Sequence, residues 1–299
     1  MIVTVCANPA LDVTYRVPAV THGNTHTVDE TWVRAGGKGT NVARVLTQLA
    51  APVTLVAPLG GASGAAFRDD LTGVPLVPVD VAGTTRTCVA VVDHDATVFN
   101  ERGPSLTESE WAAVVGAVDS VLAEGDVLVL SGSIPPGVTQ TAYADLVTLA
   151  HIRGARSIVD AHSQVLAKAL AARPDIVAPN AAEARTLVGD HDAATSARLL
   201  HELGAGTAVV SAGTQGLHAW VDGEQWGVVP PEIVAGNPTG AGDALTAALA
   251  AGLHSGAPWP EPLRDGVACA AAAVACEVAG EIDLALRERL LSVITAERY

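Results

Sequence analysis

The chain encodes a doubly wound α/β domain, a mostly parallel sheet flanked by helices, with a small β-sheet lid beside it. Three observations point there. Short Val- and Ile-rich runs recur along the 299 residues. They are nearly continuous rather than alternating, as strands covered on both faces are. Most are followed by turn residues and then by helical spacing, the signature of repeated strand–helix units. Two further segments alternate apolar with polar residues and lack a helix of their own, which fits a separate small sheet.

In chain order, the first buried strand is expected at 2–6. The segment 13–33 alternates loosely through Tyr15, Val17, Val28 and Trp32 and belongs to the small sheet. A glycine cluster then opens a helix over 39–49, and a strand follows at 53–57. The stretch "TRTCVAVVDHDATVF" (85–99) alternates around "DHDA", which reads as a hairpin turn. A helix is expected at 108–123, a strand at 127–130, a helix at 140–151 and a strand at 157–159. A helix at 164–171 and a strand at 176–178 continue the pattern. Helices at 181–188 and 194–203 lead to a strand at 208–211. The last third reads as helices at 242–252 and 262–278. The expected division is 1–11, 35–83 and 104–299 for the α/β domain, with 12–34 and 84–103 forming the lid.

Composition bounds the function. Hydrophobic residues make up 49% but aromatics only 3%, so the core is built from Ala, Val and Leu. A net charge of −15 argues against nucleic acid as a partner, because a phosphate backbone selects a basic face. The four cysteines, Cys6, Cys88, Cys269 and Cys276, lack zinc spacing and read as small buried hydrophobes in a reducing compartment. Cys269 and Cys276 are expected on one packed helical face. The start has no basic leader, and the most apolar later stretch, 267–275, is too short for a bilayer span. A cytoplasmic protein without membrane contact is the expectation.

Two glycine clusters carry the chemistry. In "AGGKGTNVARVL" (35–46), three glycines surround Lys38, one of only two lysines in the chain. Glycines admit close approach of a ligand, and a helix start presents free N–H groups. Walker P-loop spacing is absent, and a plain strand-to-helix turn explains the stretch equally well. The second cluster is "NPTGAGDAL" (237–245). Here the amides of Ala241, Gly242 and Asp243 lie at a helix start, where the dipole adds positive character. Such a pocket suits the charge on a transferring phosphoryl group, with Asp243 placed to take a proton from an attacking hydroxyl. The plainer reading is an Asp that favours the first helical turn.

Together these stretches resemble the two signatures of the ribokinase-like (PfkB) carbohydrate kinases. The resemblance extends over nearly the whole chain through "NPALDVT", "TRT" (85–87), "NERGP" (100–104), "SGSIPPGV" (131–138), "PNAAE" (179–183) and "SAGTQGL" (211–217). Its hexose-phosphate branch, which includes 1-phosphofructokinase and tagatose-6-phosphate kinase, is the most similar. The resemblance implies ATP and Mg²⁺ as cofactors and a sugar phosphate as acceptor. It implies Asp243 as base and Gly240, Ala241 and Gly242 as the anion hole. Asn180 and Glu183 would place Mg²⁺, Glu183 through water. Ser211, Gly213 and Gly216 would line the nucleotide. Asp12, Gly37, Lys38 and Asn41 would hold sugar hydroxyls. Arg86, with Lys38, would clamp a phosphate already on the substrate, and Ser133 would contact the sugar end.

Each assignment has a plainer alternative. Asn180 and Glu183 are spaced as an ordinary helix start, Arg86 as a solvated strand residue, and Ser133 as part of a Pro-rich turn. Arg102 reads as a loop charge. Three departures from the family pattern stand out: Ala178 occupies a position where Lys is common, the 68–79 edge is shortened, and Pro238-Thr239 precedes the anion-hole motif where a small or branched residue is common. The expected reaction is phosphorylation of fructose 1-phosphate to fructose 1,6-bisphosphate. Tagatose 6-phosphate, fructose 6-phosphate, a neutral sugar or nucleoside, and a non-catalytic sensor remain alternatives. A homodimer formed through the lid is also implied.

Overall fold

A computed structural model describes residues 1–94, 96–161 and 163–299. Its elements run β1 Ile2–Val5, β2 Ala10–Arg16, β3 Glu30–Gly36, α1 Lys38–Gln48, β4 Val53–Leu59, α2 Gly61–Asp70, β5 Leu76–Asp80, β6 Arg86–Val92 and β7 Ala96–Asn100. They continue α3 Glu108–Val121, β8 Val127–Ser131, α4 Ala142–Ile152, β9 Arg156–Asp160, α5 Ser163–Leu170, β10 Ile176–Val177, α6 Ala181–Val188 and α7 Ala193–Glu202. The last part holds β11 Thr207–Ser211, β12 Leu217–Val221, β13 Glu224–Val228, α8 Ala241–Ser255, α9 Glu261–Val274, α10 Leu284–Leu291 and β14 Ala296–Arg298.

The main sheet has the order β14-β13-β12-β11-β10-β9-β8-β1-β4-β5. It is parallel from β5 to β11 and antiparallel from β11 through β14. β1 is buried along its whole length, as its unbroken apolar run requires of a strand covered on both faces. One apolar cluster packs α1, α8 and α9 on one face of the sheet. A second packs α3, α4, α5 and α7 on the other. The chain leaves β1 toward β4 on one side and returns as β8 on the other. Sheets of this kind place ligands beyond the carboxyl ends of the strands at such a reversal.

The second sheet has the order β3-β2-β6-β7. Its outer pairs are antiparallel, but β2 and β6 run parallel, joining two hairpin-like units distant in sequence. Asp12 lies opposite Arg34 and Cys88, and Ala10 opposite Gly36 and Arg86. The two-residue period of a strand therefore puts Asp12, Arg34 and Arg86 on one face. The expected "DHDA" turn includes Asp95, which lies outside the described residues.

Some boundaries differ from expectation. Segment 68–79, expected to be a shortened edge, completes α2 and supplies most of the edge strand β5. α9 stops at Val274, four residues early, so Cys276 lies beyond the helix and is half-exposed, off any shared face with Cys269. The other three cysteines are buried as expected, and all four are free thiols. α2, the β12–β13 hairpin, α10 and β14 were not expected. No described helix is long and apolar enough to cross a membrane.

Candidate active site

The site lies along the carboxyl edge of the main sheet, with the start of α8 at its centre. Gly240 caps α8 in the left-handed region at φ 89°, and a Cβ there would come within 2.9 Å of Ala279. Its glycine is therefore demanded by the chain itself. Gly242 is different. Its backbone does not need glycine, and a Cβ there would meet nothing within 4 Å. A glycine that the fold does not require, bordering open space at a helix N-terminus, is suited to a ligand.

The amides expected to form an anion hole are not alike. The Ala241 N–H is directed to the Pro238 carbonyl at 3.3 Å. Among the described residues no acceptor is found for the N–H groups of Gly242 and Asp243. These are the donors of the first helical turn, aligned with the positive end of the dipole.

Asp243 follows directly and is 5% exposed. Its carboxylate accepts a hydrogen bond from Asn41 Nδ2 at 2.8 Å. Asn41 is itself 7% exposed and is presented by α1, which packs on α8. Burial pushes the Asp243 carboxyl up to about 7, helped by repulsion from Asp160 and opposed by Lys38 and the Asn41 hydrogen bond. A buried carboxyl titrating near neutrality is a candidate proton acceptor at a functional site.

Lys38 is the first residue of α1, entered from Gly37 at φ 95°. Its ammonium lies 3.2 Å from Asp160 Oδ1 and 3.7 Å from Glu183 Oε1. Burial opposes its charge, but Asp160, Asp243 and Glu183 outweigh it and hold the amine firmly protonated. Asp160 is 3% exposed and also accepts from Ser131 Oγ at 2.9 Å. Sequence reading ended that strand at 159 and missed Asp160. A carboxylate at the carboxyl end of a buried strand was the available signal.

Asn180 and Glu183 form a reciprocal capping box at the start of α6, with Glu183 N–H to Asn180 Oδ1 at 2.9 Å and Asn180 N–H to Glu183 Oε2 at 3.0 Å. Both residues thus have a local task, while Glu183 Oε1 is turned toward Lys38. No cluster of three or more metal-ligating side chains occurs among the described residues. Hard oxygen donors in small number nonetheless suit Mg²⁺, which retains water and binds largely through substrate phosphates. Ser211 bridges to Asn180 and donates its N–H to the Pro179 carbonyl at 3.2 Å, so the "PNAAE" and "SAGTQGL" stretches are neighbours. Gly213, at φ 59°, borders open space, whereas Gly216, at φ 84°, is held against the Val228 carbonyl by the fold.

Two of the residues expected at the acceptor end, Asp12 and Arg86, lie on the second sheet. Asp12 sits where a Cβ on Gly36 would come within 1.9 Å of its carboxylate. Burial raises its carboxyl to about 6, countered by the Arg86 charge and the Gly37 amide. Arg86 is tied by Nε to the Asn8 carbonyl at 3.2 Å and by Nη1 to the Glu101 carbonyl at 3.0 Å. Among the described residues it has no carboxylate within 4.0 Å. Its charge is oriented by dipoles and left without an ion-pair partner. Lys38, expected to share a phosphate with Arg86, pairs with Asp160 and Glu183 in this structure. Ser133 Oγ accepts from Asn8 Nδ2 at 3.2 Å, and Arg102 has an exposed position in its loop.

Helix-start amides beside a buried carboxylate, on a doubly wound sheet, suit phosphoryl transfer to an alcohol. A profile of "pfkB family carbohydrate kinase" matches residues 6–284, and the chain belongs to this family, with its ribokinase-like fold. It is 37% identical over 259 residues to the 1-phosphofructokinase of Rhodobacter capsulatus, covering 83% of this chain and 82% of the relative. It is 31% identical over 266 residues to a tagatose-6-phosphate kinase of Staphylococcus epidermidis, covering 85% of each. The solved structure of phosphofructokinase-2 from Escherichia coli in complex with potassium superposes with a TM-score of 0.92 at 29% identity, covering 97% of this chain and 98% of that one.

Proposed function

We propose that the protein transfers the γ-phosphoryl group of ATP to a hydroxyl of a ketohexose phosphate, with fructose 1-phosphate as the acceptor and fructose 1,6-bisphosphate as the product. The observation that carries the phosphosugar assignment is Arg86. Its guanidinium is fixed by two carbonyls and, among the described residues, lacks an ion-pair partner, which suits an anion brought by the substrate. Similarity to the Rhodobacter 1-phosphofructokinase favours the 1-phosphate among the candidates.

In this reading the acceptor hydroxyl lies against Asp243 and its oxygen attacks the γ-phosphorus. The bond to the bridging oxygen of ADP breaks, and the hydroxyl proton passes to the Asp243 carboxylate. The amides of Gly242 and Asp243 meet the charge on the transferring group, and the dipole of α8 adds to them. Asn41 orients the base. Asp12 holds a sugar hydroxyl, and Arg86 clamps the existing phosphate. Ser211 and the 213–216 turn line the nucleotide. Glu183 would hold Mg²⁺ through water, and the ion would neutralise phosphate charge. Lys38, kept charged by its carboxylate neighbours, adds positive charge near the base.

A coupled assay of ADP release across fructose 1-phosphate, fructose 6-phosphate, tagatose 6-phosphate, fructose and ribose tests the assignment. The 1-phosphate is expected to give the highest kcat/KM. Arg86→Ala should raise the KM for that substrate about tenfold or more, because the anion loses a charge-assisted partner. An unchanged KM, or preference for an uncharged sugar, removes the phosphosugar assignment. Absence of turnover with every sugar would favour a sensor.

A further inference from the structure

Asn8 stands in "NPALDVT", between β1 and β2, and the catalytic reading gives it no part. It is 6% exposed. Its Nδ2 donates to the Arg102 carbonyl at 3.0 Å and to Ser133 Oγ at 3.2 Å, contacts spanning 94 and 125 positions of sequence. Its own carbonyl accepts from Arg86 Nε at 3.2 Å. Arg86 Nη1 is held by the Glu101 carbonyl, in the same loop that Asn8 pins at Arg102. One asparagine therefore joins the exits of β1, β7 and β8 around the arginine proposed to clamp phosphate.

The opposite end of the amide makes this informative. Asn8 Oδ1 is buried and, among the described residues, has no hydrogen-bond partner. It sits against Gly103, at φ 88°, where a Cβ would come within 2.3 Å of that oxygen. A buried acceptor with no donor costs stability, and the two donated bonds offset that cost to first order. Asn8 is thus a poor choice for holding the fold together and a good one for fixing where three chain segments meet.

We infer that Asn8 is the positioning residue of the phosphate end of the acceptor site. Its side chain locks the Glu101–Gly103 loop and Ser133 so that Arg86 is presented in one orientation. The inference rests on the sugar-phosphate reading above. Asn8→Ala keeps the backbone carbonyl that receives Arg86 Nε but releases the loop that holds Nη1. Asn8→Asp keeps the shape, replaces the double donor by an acceptor facing the Arg102 carbonyl, and sets a negative charge beside Arg86.

The experiment measures, for wild type and both variants, the KM for sugar phosphate, the KM for ATP, the thermal midpoint, and binding of inorganic phosphate by calorimetry. Asn8→Ala should raise the sugar-phosphate KM by about ten- to a hundredfold, as misplacement of a binding group does. Asn8→Asp should raise it further. The ATP KM and the thermal midpoint of Asn8→Ala should stay close to wild type, and phosphate binding should weaken in step with the sugar-phosphate KM. Equal losses for both substrates with a lowered midpoint would show a structural role and overturn the inference. Unchanged values throughout would overturn it as well. Should wild type prefer a neutral sugar, the acceptor assignment falls separately. Phosphate binding then still decides: loss in Asn8→Ala supports the inference, while equal binding, or none by wild type, overturns it.

Discussion

A carboxyl that titrates near pH 7 while almost wholly buried sets the behaviour of this site. The base works ionised, so log kcat/KM should rise with pH through a limb near 7 and level off above it. Asp160 raises the Asp243 carboxyl by repulsion. Asp160→Asn should therefore move the limb to lower pH, and a pH–rate series that moves the other way would reject the coupling. Asp243→Asn should lower kcat by about a hundredfold or more.

The same substitution makes a stability prediction. The folded carboxyl, near 7, lies above its ordinary value of 3.8, so the fold favours the protonated form. Its unfavourable contribution is absent well below pH 3.8, grows between about 4 and 7, and is full at pH 8. Asp243→Asn should raise the thermal midpoint at pH 8 and leave it nearly unchanged at pH 3. Calorimetry at the two pH values checks both signs.

At the scale of elements, the start of α8 separates glycines that the fold needs from one that it does not. Gly242→Ala meets no steric obstacle and suits a helix better than glycine, by up to about 1 kcal/mol. The variant should fold at least as stably as wild type. Its added methyl would occupy space beside the free amides, so the ATP KM should rise or kcat should fall by about tenfold or more. Unaltered kinetics would mean that the opening at Gly242 serves no ligand. Gly240→Ala, strained at φ 89° and against Ala279, should instead lose stability.

Elements also mark the limits of pattern reading. The expected strands at 2–6, 53–57, 127–130 and 208–211 overlap observed ones because continuous burial leaves a plain apolar signature. β12 and β13 carried an equally usable signal that was not taken up: "LHAWV" and "EQWGV" flank Asp222-Gly223, both at positive φ as a tight hairpin requires. α2 was obscured by its glycines, which disfavour a helix until tertiary packing around Phe67 outweighs propensity.

For the whole molecule, the second sheet exposes Val33 and Phe99, which its register puts on one face, opposite to that of Asp12, with Phe99 61% exposed. An outer apolar surface of this kind favours a partner, and a homodimer through the sheet is the expectation. Size-exclusion chromatography with light scattering should report about twice the 30.2 kDa chain mass. Phe99→Glu should shift the protein toward monomer without abolishing its fold. A monomeric wild type would remove the dimer and leave the kinase assignment intact.

Ordered motifs and buried strands were readable because burial and glycine chemistry act locally: an apolar run, a helix start and a cluster such as GGKG or TGAG each carry their meaning within a dozen residues. Hence the fold class, the family and the place of Asp243 at a helix start could be read from the linear chain. Asp160 beneath Lys38, Asn41 against Asp243, and the three segments gathered by Asn8 could not. Those depend on distances between residues some 90 to 200 positions apart, and only the parallel packing of the sheet and the β2–β6 pairing bring them into hydrogen-bonding range.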